Sequence, residues 1–222
     1  MKVRLFICLA LSSVALAPLS LFAQGFEVSP YGGFYWPSDN TGVGEFKSSQ
    51  VLGVRGGYYI SPSIEVGGNY SWSNHFQPSS SDTAASFAGD LGFPQGAVRA
   101  HLWEAEFTYN FGQRNMFGSM LKPYAVVGAG GVTSNIRNTD TFVLNVRPIV
   151  TLFNTEFVQN DVLHSGDTFF TFSYGGGVKA MRIYGPLGFF GDFRGRTIPN
   201  FLGHSTYWPE LSAGLNLSWG ER

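Results

Sequence analysis

From residue 26 onwards the chain alternates. Phe26, Val28, Phe34 and Trp36 fall on one face of an extended segment, and Glu27, Ser29 and Tyr35 on the other. Successive side chains of a strand point to opposite sides, so this period of two predicts a β-strand with an apolar and a polar face. Residues 50–60 set Leu52, Val54, Tyr58 and Ile60 against Val51, Gly53, Arg55 and Gly57. Residues 64–73 set Ile64, Val66, Tyr70 and Trp72 against Glu65, Asn69 and Ser71. The cleanest interior segment is 100–111, where His101, Trp103, Ala105, Phe107, Tyr109 and Phe111 oppose Leu102, Glu104, Glu106, Thr108 and Asn110. Residues 123–132 are weaker, with small residues on both faces. Residues 170–181 place Phe170, Phe172, Tyr174, Val178 and Ala180 opposite Thr171, Ser173, Gly175, Gly177 and Lys179. Residues 187–197 place Leu187, Phe189 and Phe193 opposite Phe190, Asp192, Arg194 and Arg196. The last segment, 209–219, sets Leu211, Ala213, Leu215, Leu217 and Trp219 against Glu210, Ser212, Gly214, Asn216 and Ser218.

These segments are eight in number, and the connections between them fall into two classes. Short turns are predicted around Ser61-Pro62-Ser63, from Gly112 to Lys122, and from Arg182 to Pro186 with Tyr184-Gly185-Pro186 as breaker. Long connections are predicted at 37–49, 74–99, 133–169 and 198–208. Strict alternation of short and long predicts an up-and-down antiparallel arrangement with both ends of the barrel chain on the short side. An unpaired final strand would be an aggregation-prone edge, which pairing with the first strand removes. The stretch from Thr141 to Phe153 is β-rich and apolar, and reads as a hairpin standing above the barrel or as an extra strand pair making ten. Pro148 interrupts a ladder and favours the loop position, so eight strands with a structured third loop are expected.

Which face is buried depends on where the chain resides. Lys2 and Arg4 followed by an apolar run from Leu5 to Leu21 and by Phe22-Ala23-Gln24 predict an export signal over residues 1–23, leaving 24–222 as one domain. An uncleaved anchor is the alternative, against which Pro18 and Gln24-Gly25 argue. Cys8 lies inside that signal, so the exported chain would carry neither disulfide nor thiol chemistry. Charged residues make up 13% of the chain and aromatics 16%, too few charges for an ordinary wetted surface. The net charge of −1 argues against a nucleic-acid partner. No later segment is apolar for the length a spanning helix needs, so membrane residence would be by strands. Trp36, Trp72 and Trp103 gather at one end of the strands and Phe26, Phe111 and Trp219 at the other, as two interfacial girdles would. A soluble barrel with its oily face inward would have to fit these rings into a lumen only just wide enough for ordinary side chains. The expectation is therefore an all-β, membrane-embedded, up-and-down antiparallel β-barrel of eight strands.

A family resemblance is carried by Pro30-Tyr31-x-Gly33, Gly53-x-Arg55-x-Gly57-Tyr58, Lys122-Pro123-Tyr124, Gly175-Gly176-Gly177-Val178-Lys179, Asp192-x-Arg194 and the closing Glu210 to Leu217. The chain resembles the small OmpA-like outer-membrane β-barrel domains of bacteria over residues 25–222. The resemblance implies the bacterial outer membrane, periplasmic termini, four extracellular long loops, and a monomer. Its implied partners are outer-membrane lipid and lipopolysaccharide, together with the barrel-assembly machinery that reads a terminal aromatic such as Trp219.

Parity then turns the strand charges inward: Glu27, Arg55, Glu65, Glu104, Glu106, Lys179, Asp192, Arg194, Arg196 and Glu210. An arginine or lysine facing lipid at midplane would cost about 2–4 kcal/mol, which requires the inward assignment. Six acids and four bases in a narrow lumen predict a paired plug. The sharper alternative is a gated path for ions or small solutes lined by Glu104, Glu106, Arg194 and Arg196. A lipid A-modifying enzyme is the third reading, with His204-Ser205, His101 and His164-Ser165 as its candidates, but adjacent strand residues face opposite ways and no orienting third group is visible. His75, His101, His164 and His204 lack metal-ligand spacing. Gly175-Gly176-Gly177 lacks the Lys-Ser/Thr of a phosphate loop. No catalytic residue, metal or cofactor is expected, and the function expected is structural or surface-interacting.

Overall fold

The computed structural model describes residues 25–37, 46–74, 88–93, 95–112, 114–116, 119–159 and 161–220; the predicted export signal and His75 lie outside them. Among the described residues twelve strands follow in chain order: β1 (Phe26–Tyr35), β2 (Ser49–Tyr59), β3 (Ile64–Ser73), β4 (Gln95–Asn110), β5 (Arg114–Met116) and β6 (Ser119–Val143). The remainder are β7 (Val146–Val150), β8 (Thr155–Gln159), β9 (Val162–His164), β10 (Thr168–Tyr184), β11 (Leu187–Phe201) and β12 (His204–Trp219). Eight of them, β1, β2, β3, β4, β6, β10, β11 and β12, form a continuous antiparallel sheet that closes on itself. The seam pairs Phe26 with Trp219 and Tyr35 with Glu210, so the first and last strands remove each other's edge.

The alternation expected for each segment holds along the wall. Leu52, Val54, Phe107, Phe172, Leu211 and Trp219 are exposed on the exterior, whereas Glu27, Arg55, Glu104, Lys179 and Glu210 are buried in the lumen. Aromatic pairs gather near both rims. Phe26 stacks on Trp219 at 6.2 Å and Tyr109 meets Phe111 at 5.2 Å at the turn end, while Phe34 with Trp36 at 6.4 Å and Tyr70 with Trp72 at 6.3 Å lie towards the loop end.

The strands are longer than the alternation suggested, and three connections are corrected by this. The span 198–208, expected as a long loop, is a hairpin: β11 runs to Phe201, and only Leu202 and Gly203 separate it from β12. Pro199 interrupts no regular pairing there, because the register shifts between Ile198 and Phe201. In 133–169, β6 continues to Val143, pairing β4 up to Phe142 and then β9 from Thr141 to Val143. The Thr141–Phe153 stretch adds no strand pair to the barrel. Its second part is β7, which forms a separate two-stranded sheet with β8 and sets Pro148 opposite Phe157. The 112–122 turn contains a small hairpin, β5 pairing the start of β6 from Ser119 to Leu121.

These extensions carry an apolar interior. At the loop end Val98, Ala100, Val132, Ile136, Ile198 and Trp208 point inward and pack with Phe46, Phe142, Leu144, Leu163 and Phe201. Strands β1 to β3 stop short of this level, so the barrel wall is taller on the side of β4, β6, β11 and β12.

Candidate functional site

The barrel interior is stacked in three charged layers beneath the apolar cap. In the layer nearest the termini, Lys179 Nζ on β10 lies 2.8 Å from Glu27 Oε1 on β1 and 2.8 Å from Glu65 Oε2 on β3. Tyr59 donates to Glu27 Oε2 at 2.7 Å and Ser29 to Glu27 Oε1 at 3.1 Å. Gly57 makes the layer fit, since a Cβ there would come within 1.9 Å of Glu65 Oε1.

The middle layer centres on Asp192 of β11. It accepts from Arg55 Nη1 at 2.8 Å, Arg194 Nε at 2.8 Å, Tyr124 at 2.9 Å, and from Ser212. Arg55 also donates to Ser212 at 2.9 Å, and its guanidinium carbon lies 4.2 Å from the Tyr31 ring centre and 4.9 Å from that of Phe190. The planar guanidinium can both fork onto carboxylates and stack on rings, which a lysine in this position could not do. Arg194 reaches on to Glu106.

In the upper layer Arg196 joins Glu210 and Glu104, the latter at 3.3 Å, with its guanidinium 5.3 Å from the Tyr35 ring centre. Arg55 links the layers by a 3.5 Å contact to Glu210. Asn69 donates to Glu104 at 3.5 Å and accepts from the Tyr31 hydroxyl at 3.0 Å.

The structure places the ten residues expected to face the lumen in two ion-paired groups, Glu27, Glu65 and Lys179 in one and Arg55, Glu104, Glu106, Asp192, Arg194, Arg196 and Glu210 in the other, with the Tyr124 ring 5.1 Å from Lys179 Nζ and its hydroxyl on Asp192 between them. The structure adds Lys122, a cation at the end of the predicted 112–122 turn. Lys122 is 1% exposed, stands opposite Lys179 in the β6–β10 register, and holds its Nζ 5.4 Å from the Tyr59 ring centre. Its even-numbered parity with Tyr124 and Val126 was the available signal. Tyr31, Tyr59 and Tyr124, which bracket the cations, were equally legible by parity as inward residues.

Between the lower and middle layers a cavity of ≈ 20 Å³ is lined by Glu27, Arg55, Glu65, Glu106, Lys179 and Arg194, room for about one or two water molecules. Charges removed from bulk water are tolerated only when paired with good geometry, which is what these layers provide.

The histidine candidates lie on three different strands, His101 on β4, His164 on β9 and His204 on β12. His101 faces outward with Nδ1 2.8 Å from the Tyr70 hydroxyl. His164 is exposed, 3.5 Å from Asp167, while Ser165 Oγ accepts from the Ile136 amide at 3.2 Å. His204 and Ser205 are exposed at the β11–β12 tip. Among the described residues no serine hydroxyl is hydrogen-bonded to a histidine ring, and no three His, Cys, Asp or Glu cluster as metal ligands would.

A closed eight-strand wall with an oily exterior and a charged, filled interior defines the class of transmembrane β-barrels. The chain belongs to the outer membrane protein β-barrel domain family, whose profile matches residues 6–196. Comparison with curated proteins gives no sequence relative. Among solved structures it is similar to the N-terminal β-barrel domain of OprF from Pseudomonas aeruginosa, at 12% identity and a TM-score of 0.44, over 87% of this chain and 98% of that one. OprG from the same organism matches at 9% identity and a TM-score of 0.48, covering 89% and 97% of the two chains. The attachment invasion protein Ail of Yersinia pestis, solved with the heparin analogue sucrose octasulfate, matches at 13% identity and a TM-score of 0.44, covering 87% and 99%. The family membership places the chain among bacterial outer-membrane barrels.

Proposed function

We propose that the protein is a sealed, non-enzymatic outer-membrane barrel that anchors a surface-interaction platform. Both termini face the periplasm and the long connections face outward. The observation carrying this reading is the filled interior: three layers of buried ion pairs stand below an apolar cap containing Trp208 and Phe201. An ion crossing it would have to separate buried pairs and then pass a dry apolar segment.

The platform is supported by the β7–β8 hairpin. Its tip is pinned by the Thr151 amide donating to the Asn154 carbonyl at 2.8 Å, and it holds Leu152 and Phe153 at 95% and 99% exposure. Apolar side chains displayed this fully on an ordered turn are characteristic of contact surfaces.

Planar-bilayer recording tests the sealed lumen. The refolded protein is expected to give no steady unitary current. Currents that disappear on Glu104→Gln or Arg194→Met would overturn the reading and install the gated path in its place.

A further inference from the structure

We infer that the tip of the β7–β8 hairpin inserts into the phospholipid of an opposing bilayer, which names a partner for the platform proposed above and rests on its outward orientation. Successive residues of a strand point to opposite faces, so Ile149 and Val150 put exposed apolar groups on both sides of the ribbon just below its turn. Leu152 and Phe153, almost wholly exposed, carry the apolar character through the turn itself. A protein partner would cover one face of such a ribbon and leave the other wet. Hydrocarbon encloses a tip from every side and takes all four side chains out of water.

The polar groups of the tip are arranged for that medium. No charged residue occurs from Pro148 to Thr155. The Thr151 amide and hydroxyl both donate to the Asn154 carbonyl, at 2.8 and 2.9 Å, and the Asn154 amide donates back to the Thr151 hydroxyl at 3.1 Å. Groups that satisfy one another need no water when they enter lipid. The Thr151–Asn154 bond makes the rungs bonded at every second pair, so Pro148, opposite Phe157, turns its nitrogen to the outer edge of β7. An ordinary residue there would bring one more N–H to strip of water. Glu156 then limits the depth. It lies three residues from Phe153, about 10 Å along the strand, which matches the roughly 5–10 Å to which interfacial elements sink. At its other end the hairpin is held by Val146, buried with Val143 and Ala88.

Reach decides which bilayer it enters. Trp103 of the loop-end girdle pairs with Gly131, and β6 continues twelve residues beyond, to Val143. At about 3.4 Å per residue and a tilt of roughly 40°, the hairpin base stands about 30 Å above the girdle. From Val146 to Phe153 the hairpin spans seven residues, about 24 Å, so even folded straight back it falls short of the protein's own hydrocarbon layer.

A fluorescence titration tests this. Cys8 is the single cysteine, so a Cys8→Ser, Leu152→Cys chain takes a polarity-sensitive fluorophore at the tip alone. With the barrel in phosphatidylcholine nanodiscs, added phosphatidylcholine vesicles are expected to shift the emission to the blue, and brominated acyl chains in those vesicles to quench it. Phe153→Ser should raise the lipid concentration at half-saturation about tenfold, the effect of removing one large apolar side chain from the inserted set. Phe153→Trp, which stays apolar, should leave it unchanged and guards against a misfolded hairpin. No shift with vesicles, equal titrations for Phe153→Ser and the parent, or quenching only when the bromine is in the nanodisc's own lipid would each overturn the insertion. Nanodiscs expose both ends of the barrel to the vesicles, so a failure here is separate from failure of the outward orientation, which protease access to intact cells reads, and of the sealed lumen, which conductance reads.

Discussion

Lys179 shows how much a single residue can hold in a low-dielectric interior. Its ammonium stands between Glu27 and Glu65, each at 2.8 Å, and its removal would leave two carboxylates facing one another without a shared cation. Lys179→Met is therefore expected to destabilise the barrel by about 3–5 kcal/mol, the usual cost of stranding a buried charge. Adding Glu27→Gln and Glu65→Gln should recover most of that loss, because the repulsion goes with the charges. Urea unfolding in lipid vesicles, followed by tryptophan fluorescence, measures both. A triple variant as unstable as the single one would show that packing of the lysine stem, not charge, holds the layer. Parity identified Lys179, Glu27 and Glu65 as inward residues. It did not show that they touch, because strand period gives the face while register and tilt give the height.

The strand is the unit on which inside and outside are decided. In β12, Leu211, Ala213 and Leu215 are exposed while Glu210, Ser212 and Asn216 are buried, so a change at adjacent positions acts on opposite solvents. Leu215→Arg places a charge in lipid and should cost about 2–4 kcal/mol if it lies near midplane, falling towards the rims. The same unfolding assay checks it; a neutral result would mean that Leu215 does not face the hydrocarbon. The strands could be read because all but 123–132 alternate clearly over about the length needed to cross. Their outer ends could not. Beyond Thr133 on β6 and Thr197 on β11 the inward residues change from charged or small to apolar, as in Ile136 and Ile198, while outward residues become polar, as in Asn135 and Arg137. A pattern that inverts along one continuous strand resembles a break, and Pro199 strengthened that appearance at the β11–β12 hairpin.

At the scale of the whole molecule, the two ends differ. The turn end closes with short connections, while the loop end carries the apolar cap and the β7–β8 hairpin as a sheet of its own. Phe153, 99% exposed at the hairpin tip, offers a direct test of orientation. Chymotrypsin added to intact cells is expected to cut there and leave the barrel resistant. Cleavage only after the outer membrane is breached would put the loop end in the periplasm and reverse the proposed platform.

By itself the sequence determined the class of the molecule: eight two-faced strands, an even closure, oily residues turned outward and ten charges turned in. Those properties follow from a period of two and from the cost of placing charge in lipid, both of which act locally along the chain. The tertiary structure alone decided which charges pair, that Lys122 is buried beside them, and how tall the wall stands. These depend on the register between strands distant in sequence, such as Arg55 beside Asp192, and a repeat of two residues carries no information about register.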